Sequence, residues 1–140
     1  MDRWEPGAQG TTFGGHPVSC AAAHAVLDIV TEDNGNTFKQ VEEFGNHMMA
    51  RLKNLQERSP IVGDVRGKGL MIGVEFVKDK KTKELAEDIM KQVLSGTKQK
   101  GLLIISCVGS TIRLMPPLTI TREELDRGIN MLEEFILALS

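Results

Sequence analysis

The sequence predicts an α+β fold in which a small, mostly antiparallel sheet packs against helices. Three observations lead there. Hydrophobic spacing switches between helical and strand periods in the order helix, helix, strand, strand, helix, strand, strand, helix. Short glycine-containing segments, Arg66-Gly67-Lys68-Gly69 and Gly109-Ser110, join the strands in pairs, as neighbouring antiparallel strands require. The 140 residues, 41% hydrophobic and 26% charged, are enough for a globular core.

The chain begins with a polar, turn-rich run, Met1 to Gly7, and then Gly10-Thr11-Thr12-Phe13-Gly14-Gly15-His16-Pro17. Thr11 and Thr12 can donate hydrogen bonds, the glycines permit a sharp turn, and Pro17 suits a first helical turn. The spacing is neither a P-loop nor a dinucleotide fingerprint, so local chemistry leaves a phosphate cradle and an ordinary loop equally open. From Pro17 to about Thr31, Ala, Val, Leu and Ile predict a helix buried on most sides, ended by Asn34-Gly35-Asn36. A second helix starts at Thr37, with Phe38, Val41, Phe44, Met48, Leu52 and Leu55 on its apolar face, and stops before Ser59-Pro60.

The period then changes. Ile61 to Val65 and Leu70 to Val77 read as two strands, with Glu75 facing away from Val74 and Phe76 toward solvent or an interface. A third helix is expected over Thr82 to Lys100, with Thr82 as N-cap, Leu85, Ile89, Val93 and Leu94 buried, and Gly101 as its stop. Leu102 to Val108 is apolar enough to predict an interior strand covered by helices, followed by a returning strand, Thr111 to Met115, closed by Pro116-Pro117. Thr121-Arg122-Glu123-Glu124 is a capping-box sequence opening a last helix, whose apolar face carries Leu125, Ile129, Leu132, Phe135, Ile136 and Leu139.

The 17 basic and 19 acidic residues leave a net charge of -2 and no basic stripe, so neither nucleic acid nor an anionic membrane is expected as a partner. The lysines from Lys78 to Lys83 read as a solvated turn. Cys20 and Cys107 form no disulfide or metal pattern, and Cys20 is expected to be a small buried hydrophobe. With no signal peptide and no long apolar run, a reducing, cytoplasmic location is the expectation.

Three ordered motifs carry a family resemblance: Gly10 to Pro17 followed by Cys20-Ala21-Ala22-Ala23, Val65-Arg66-Gly67-Lys68-Gly69-Leu70-Met71-Ile72-Gly73, and Ile112-Arg113-Leu114-Met115-Pro116-Pro117-Leu118-Thr119-Ile120. With them the chain resembles the C-terminal part of class III (ω-type) pyridoxal-phosphate aminotransferases. Leu103-Ile104-Ile105-Ser106-Cys107 before the third motif is most similar to 4-aminobutyrate aminotransferases, with acetylornithine and ornithine aminotransferases close by. Gln9 and His16 depart from the family, which commonly has His and Asn there.

The resemblance implies the small domain of the fold type I pyridoxal-phosphate transferases over residues 17–140, preceded by a loop over 1–16 that carries the phosphate-contacting threonines. The large cofactor-binding domain, with its Schiff-base lysine, is expected to lie upstream and outside this chain; Lys68 is not that lysine, and no residue here is expected to be catalytic. Thr12 would bond the phosphate of pyridoxal 5'-phosphate held by the neighbouring subunit of a homodimer. Thr11 would contact substrate or steady the loop, and His16 would cap the following helix or meet the subunit interface. Arg113 would receive a substrate carboxylate, a task suited to a permanently charged, forked donor, or pair with a glutamate of the large domain when the substrate has no α-carboxylate. The implied reaction moves an amino group from an ω-amino acid such as 4-aminobutyrate to a 2-oxo acid such as 2-oxoglutarate, with the isolated chain inactive. The alternative from another class is a non-catalytic protein-interaction module built on the same fold.

Overall fold

The computed structural model describes residues 10–140, so the turn-rich start and Gln9 lie outside the described residues. The chain divides into two compact units, one ending at Thr37 and one spanning Phe38–Ser140.

In the first unit, backbone bonds from Gly14 N to Thr11 O (3.4 Å) and from His16 N to Phe13 O (3.2 Å) fold the loop into successive turns. Helix α1 (Pro17–Glu32) follows, with proline in its first turn as expected. His16 occupies the N-cap position, but its side chain makes no cap bond, so the expected capping role is not filled. The helix ends where Asn34 and Gly35 take φ values of 58° and 75°. The Asp33 carboxylate then accepts from the backbone N–H (2.6 Å) and hydroxyl (2.5 Å) of Thr37, and the hydroxyl bond above all holds that carboxyl below its usual range. The expectation that α1 is buried on most sides is corrected: it buries none of its residues, with Val18 and Ile29 72% and 68% exposed, and Cys20 is exposed as well. Hydropathy records what a helix would gain from being covered, not that its own unit covers it.

The second unit contains the core. Helix α2 (Asn36–Arg58) turns Phe44, Met48, Leu52 and Leu55 inward, while Phe38, expected on that face, is exposed. Strands β1 (Val62–Lys68) and β2 (Met71–Phe76) form a hairpin closed by Gly69 and Leu70, with Lys68 opposite Met71. Gly69 has φ +55°, and a Cβ on Gly45 of α2 would overlap the Gly69 backbone, so helix and hairpin touch main chain to main chain. These glycines serve the bend and the close approach. Strands β3 (Ile105–Ser106) and β4 (Thr111–Leu114) complete a sheet in the order β1-β2-β4-β3, antiparallel at every pairing. Ile72, Val74, Phe76, Ile112 and Leu114 alternate onto one buried face. They share a single cluster with α2, with Met90 and Val93 of helix α3 (Glu87–Gln99), and with Leu125, Ile129, Leu132 and Ile136 of helix α4 (Arg122–Leu139).

Two expectations are corrected here. Helix α3 starts at Glu87 with Ala86 as N-cap, not at Thr82. The Asp79 carboxylate accepts from the backbone of both Lys81 and Thr82 (2.8 Å each), and Val77 bridges to Leu85, so that segment has satisfied its backbone before the helix begins and Leu85 stays exposed. The run from Leu102 to Val108 is not an interior strand either: only Ile105–Ser106 pair, at the sheet edge, and Leu103 is 77% exposed. At an edge, one neighbour satisfies one side of the backbone and apolar content alone does not bring a second.

The helix ends follow the sequence closely. Gly101, at φ +87°, lets Leu102 N reach Thr97 O (2.9 Å) and closes α3. At the start of α4 the Thr121 hydroxyl accepts from Glu124 N (3.2 Å) while the Glu124 carboxylate accepts from Thr121 N (2.9 Å), a complete capping box. No helix among the described residues is long and apolar enough to cross a membrane.

Candidate functional site

The period-two geometry of β4 sends Ile112 and Leu114 into the core and places Thr111 and Arg113 on the opposite face. Arg113 stands between Gly73 of β2 and Ile105 of β3 in the sheet register. It lines a cleft of about 450 Å³ together with Leu103, Ile105, Met115, Pro116 and Glu124. That volume falls within the roughly 300–1,000 Å³ usual for small-molecule sites.

Arg113 and Glu124 are the charged residues of the lining, and their situations differ. Glu124 is engaged by the backbone and hydroxyl of Thr121, and the backbone bond above all holds its carboxyl below the usual range. It is therefore a committed acceptor, poorly suited to act as a base. Arg51, Arg66 and Arg122 all sit in ion pairs, with Glu133, with Asp64 and Glu75, and with Asp126 respectively. None of the ion pairs among the described residues includes Arg113, and its Nε is buried without a hydrogen-bond partner. A buried N–H left unmade costs about 1–3 kcal/mol, which an incoming carboxylate would relieve.

Elsewhere the sheet face is paired. Arg66 reaches Asp64 (2.8 Å) and Glu75 (3.0 Å), and its hydrogen bond holds the Asp64 carboxyl below its usual range. Glu75 is thus half-buried and partnered, consistent with a strand residue facing away from Val74 and Phe76.

Thr11 and Thr12 belong to the first unit, where both are exposed in the turn that precedes α1. A Cβ on Gly14 would overlap the Thr11 methyl, so the turn closes over Thr11 only because glycine is there. The first helical bond is Cys20 N to His16 O, leaving the N–H groups of Val18 and Ser19 without a partner inside the helix, and the first turn has no acidic residue. Two hydroxyl donors beside a free helix N-terminus are the right kind of donor set for a phosphate.

Sequence reasoning missed two parts of the second unit's site, the apolar cleft wall and Glu124, which reads only as a helix cap; Thr111 lies beside Arg113 on β4 without lining the cleft. Thr111 is 5% exposed, and its Oγ1 has no hydrogen-bond partner. The alternation of Thr111-Ile112-Arg113-Leu114 was the available signal for that placement, because it puts Thr111 and Arg113 on one face.

The family described as aminotransferase class III matches residues 1–136 of the chain. A leucine/methionine racemase of Thermococcus litoralis is 42% identical over 97% of this chain and 30% of its own length. A 4-aminobutyrate aminotransferase of Mycobacterium leprae is 39% identical over 91% of this chain and 28% of its own. Among solved structures, an amine transaminase from an uncultivated Pseudomonas species, in its PLP-bound form, superimposes with a TM-score of 0.77 at 36% identity, covering 94% of this chain and 30% of that one. The chain thus spans about 30% of the length of these relatives, and the four-stranded antiparallel sheet with four helices matches their architecture. Relatives of different named activity stand at similar identity, so similarity singles out no one substrate. With residues 1–136 of its 140 matched by the family, this chain belongs to the class III aminotransferases.

Proposed function

We propose that this chain supplies substrate-carboxylate recognition and part of the cofactor-phosphate site to a pyridoxal-phosphate-dependent aminotransferase. The observation that carries the reading is Arg113, a guanidinium without an ion-pair partner among the described residues, its Nε buried and unpaired there, at the wall of an apolar cleft. Pyridoxal phosphate, when bound, supplies the electron sink for moving an amino group. Arg113 would hold one end of the substrate through two parallel hydrogen bonds, and the apolar wall would keep water from competing for them. Thr12, with Thr11 beside it, would donate to the phosphate across the subunit boundary of a homodimer.

The amino donor on this reading is an ω-amino acid such as 4-aminobutyrate and the acceptor a 2-oxo acid such as 2-oxoglutarate. On this reading the transfer itself needs the Schiff-base lysine that the resemblance assigns to a large cofactor-binding domain of the full-length enzyme. The test is glutamate formation from 4-aminobutyrate and 2-oxoglutarate by the full-length enzyme, with and without Arg113→Ala. Production that falls sharply in the variant supports the reading, and unchanged kinetics toward carboxylate substrates refute it.

A second reading is favoured by the cleft itself, whose lining apart from Arg113 and Glu124 is apolar. An apolar α-amino acid would fit such a wall, and racemisation of one is the activity named for the Thermococcus litoralis relative. Conversion of L-leucine to its mirror image without any 2-oxo acid would select that reading over amino transfer.

A further inference from the structure

The loop that follows β4 is short of hydrogen bonds of its own. Pro116 and Pro117 have no N–H to give, and within Met115 to Ile120 the backbone makes a single turn bond, Ile120 N to Pro117 O (3.0 Å). Yet Met115, Pro116, Pro117 and Ile120 all line the cleft, so this loop is the wall that runs from Arg113 toward α4. What holds it from outside is Gln40 of α2, whose Nε2 donates to Ile120 O (3.2 Å) and, more weakly, to Leu118 O (3.4 Å). Among the described residues, no side chain of another element bonds to the loop besides Gln40. Gln40 heads a stripe on α2 with Glu43, His47 and Arg51, spaced so that all share one helix face. Their partners advance in step along the chain: Glu43 meets Arg122 (3.6 Å), His47 meets Asp126 (2.6 Å), and Arg51 meets Asn130 (2.7 Å) and Glu133 (2.8 Å). The later members of the stripe fix α4; Gln40 fixes the loop.

We propose that Gln40 is a positioning residue that acts through the Pro116-Pro117 wall, setting how closely the cleft encloses the alkyl chain of its ligand and so which carboxylate chain lengths it prefers. This rests on the reading of the cleft as the substrate site. Arg113 answers to a carboxylate whatever is attached to it; the prolines, with rigid apolar rings and no N–H, answer to the methylenes. An apolar wall rewards a chain only at contact distance, since a gap of about 0.5–1 Å forfeits roughly a quarter to a half of each contact. The bonds from Gln40, made to a loop with almost none of its own, keep that distance.

The test uses the full-length enzyme and two probes, acetate and butanoate, which carry the same carboxylate on a shorter and a longer chain. Dissociation constants are measured for the parent, Gln40→Met, Gln40→Arg, Arg51→Met and Arg113→Ala. Each methylene buried against an apolar surface is worth roughly fourfold in affinity, so the parent should prefer butanoate by about tenfold or more. Gln40→Met keeps the length and removes the donors, so the preference should fall to about threefold or less while acetate binds as before. Gln40→Arg places an N–H where the amide stood and should restore most of the preference. Arg51→Met cuts the same stripe at its far end and should leave the preference as in the parent, whatever it does to Tm. A parent-like preference in Gln40→Met, or an equal loss in Arg51→Met, overturns the role of Gln40, and the cleft reading stands if Arg113→Ala weakens both probes. If Arg113→Ala weakens neither probe, or the parent shows no preference, the cleft reading falls and the role of Gln40 with it.

Discussion

Replacing Arg113 by Met should stabilise the folded chain while removing its affinity for carboxylates. The Arg113 Nε is buried without a partner, and leaving such a group unmade costs about 1–3 kcal/mol. Its residue is only half-buried, so the lower end of that range applies, about 1 kcal/mol. Methionine carries similar bulk without the donor, beside Ile105, its register partner on β3, in an already apolar wall. For a domain of this size, about 1 kcal/mol corresponds to a Tm increase of roughly 4 °C. The contrast is Arg66, whose guanidinium is bonded to Asp64 and Glu75; Arg66→Met should lose up to about 1 kcal/mol, reduced by its exposure. Thermal unfolding of the 140-residue chain followed by circular dichroism compares the two directly. A Tm that falls in Arg113→Met as it does in Arg66→Met would mean that Arg113 has a structural partner after all, and would refute its being held in reserve for a ligand.

The remaining predictions concern what holds the site in place. Thr121→Ala removes the hydroxyl half of the capping box and should cost about 1 kcal/mol in urea unfolding, against little change for Thr119→Ala in the preceding turn. Gly45→Ala drives a methyl into the Gly69 backbone and should cost more than about 2 kcal/mol; a Tm within a degree of the parent would show that the helix and hairpin do not meet there. Asp64, Asp126 and Asp33 all have carboxyls held below their usual values, by Arg66, by the His47 hydrogen bond and by Thr37 respectively. A depressed folded value means the stabilisation is complete above the ordinary carboxylate range and is lost as pH falls through the folded values, so unfolding free energy should drop from about pH 4 downward. Asp126→Asn should flatten part of that acid slope, and an unchanged slope would remove Asp126 from the account.

Element order was legible because period and punctuation agreed: α2, the β1–β2 hairpin and α4 each combine an apolar repeat with a cap or a glycine stop. The start of α3 was not, because Thr82 looks like a cap while Asp79 nearby binds the same backbone and delays the helix. Burial of α1 and of the segment before β3 was overestimated for a shared reason: composition states an affinity for cover, and cover depends on topology. At the candidate site, Arg113 was legible from its motif. Glu124 was not, since its cap accounts for it fully and only the lining of the cleft brings it to the site.

The main-chain contact between Gly45 and Gly69 has a further effect. It brings α2 against the hairpin at main-chain distance, with the Val41 side chain packed beside the same Gly69, and β2 in turn carries Gly73, the register partner of Arg113. The arginine's place in the sheet is therefore set by main-chain pairing with β2 and β3, while Leu103, Ile105 and Met115 expose their side chains on the cleft wall. A change at one of those wall side chains alters the surface beside the arginine without removing any of the main-chain pairing that seats it.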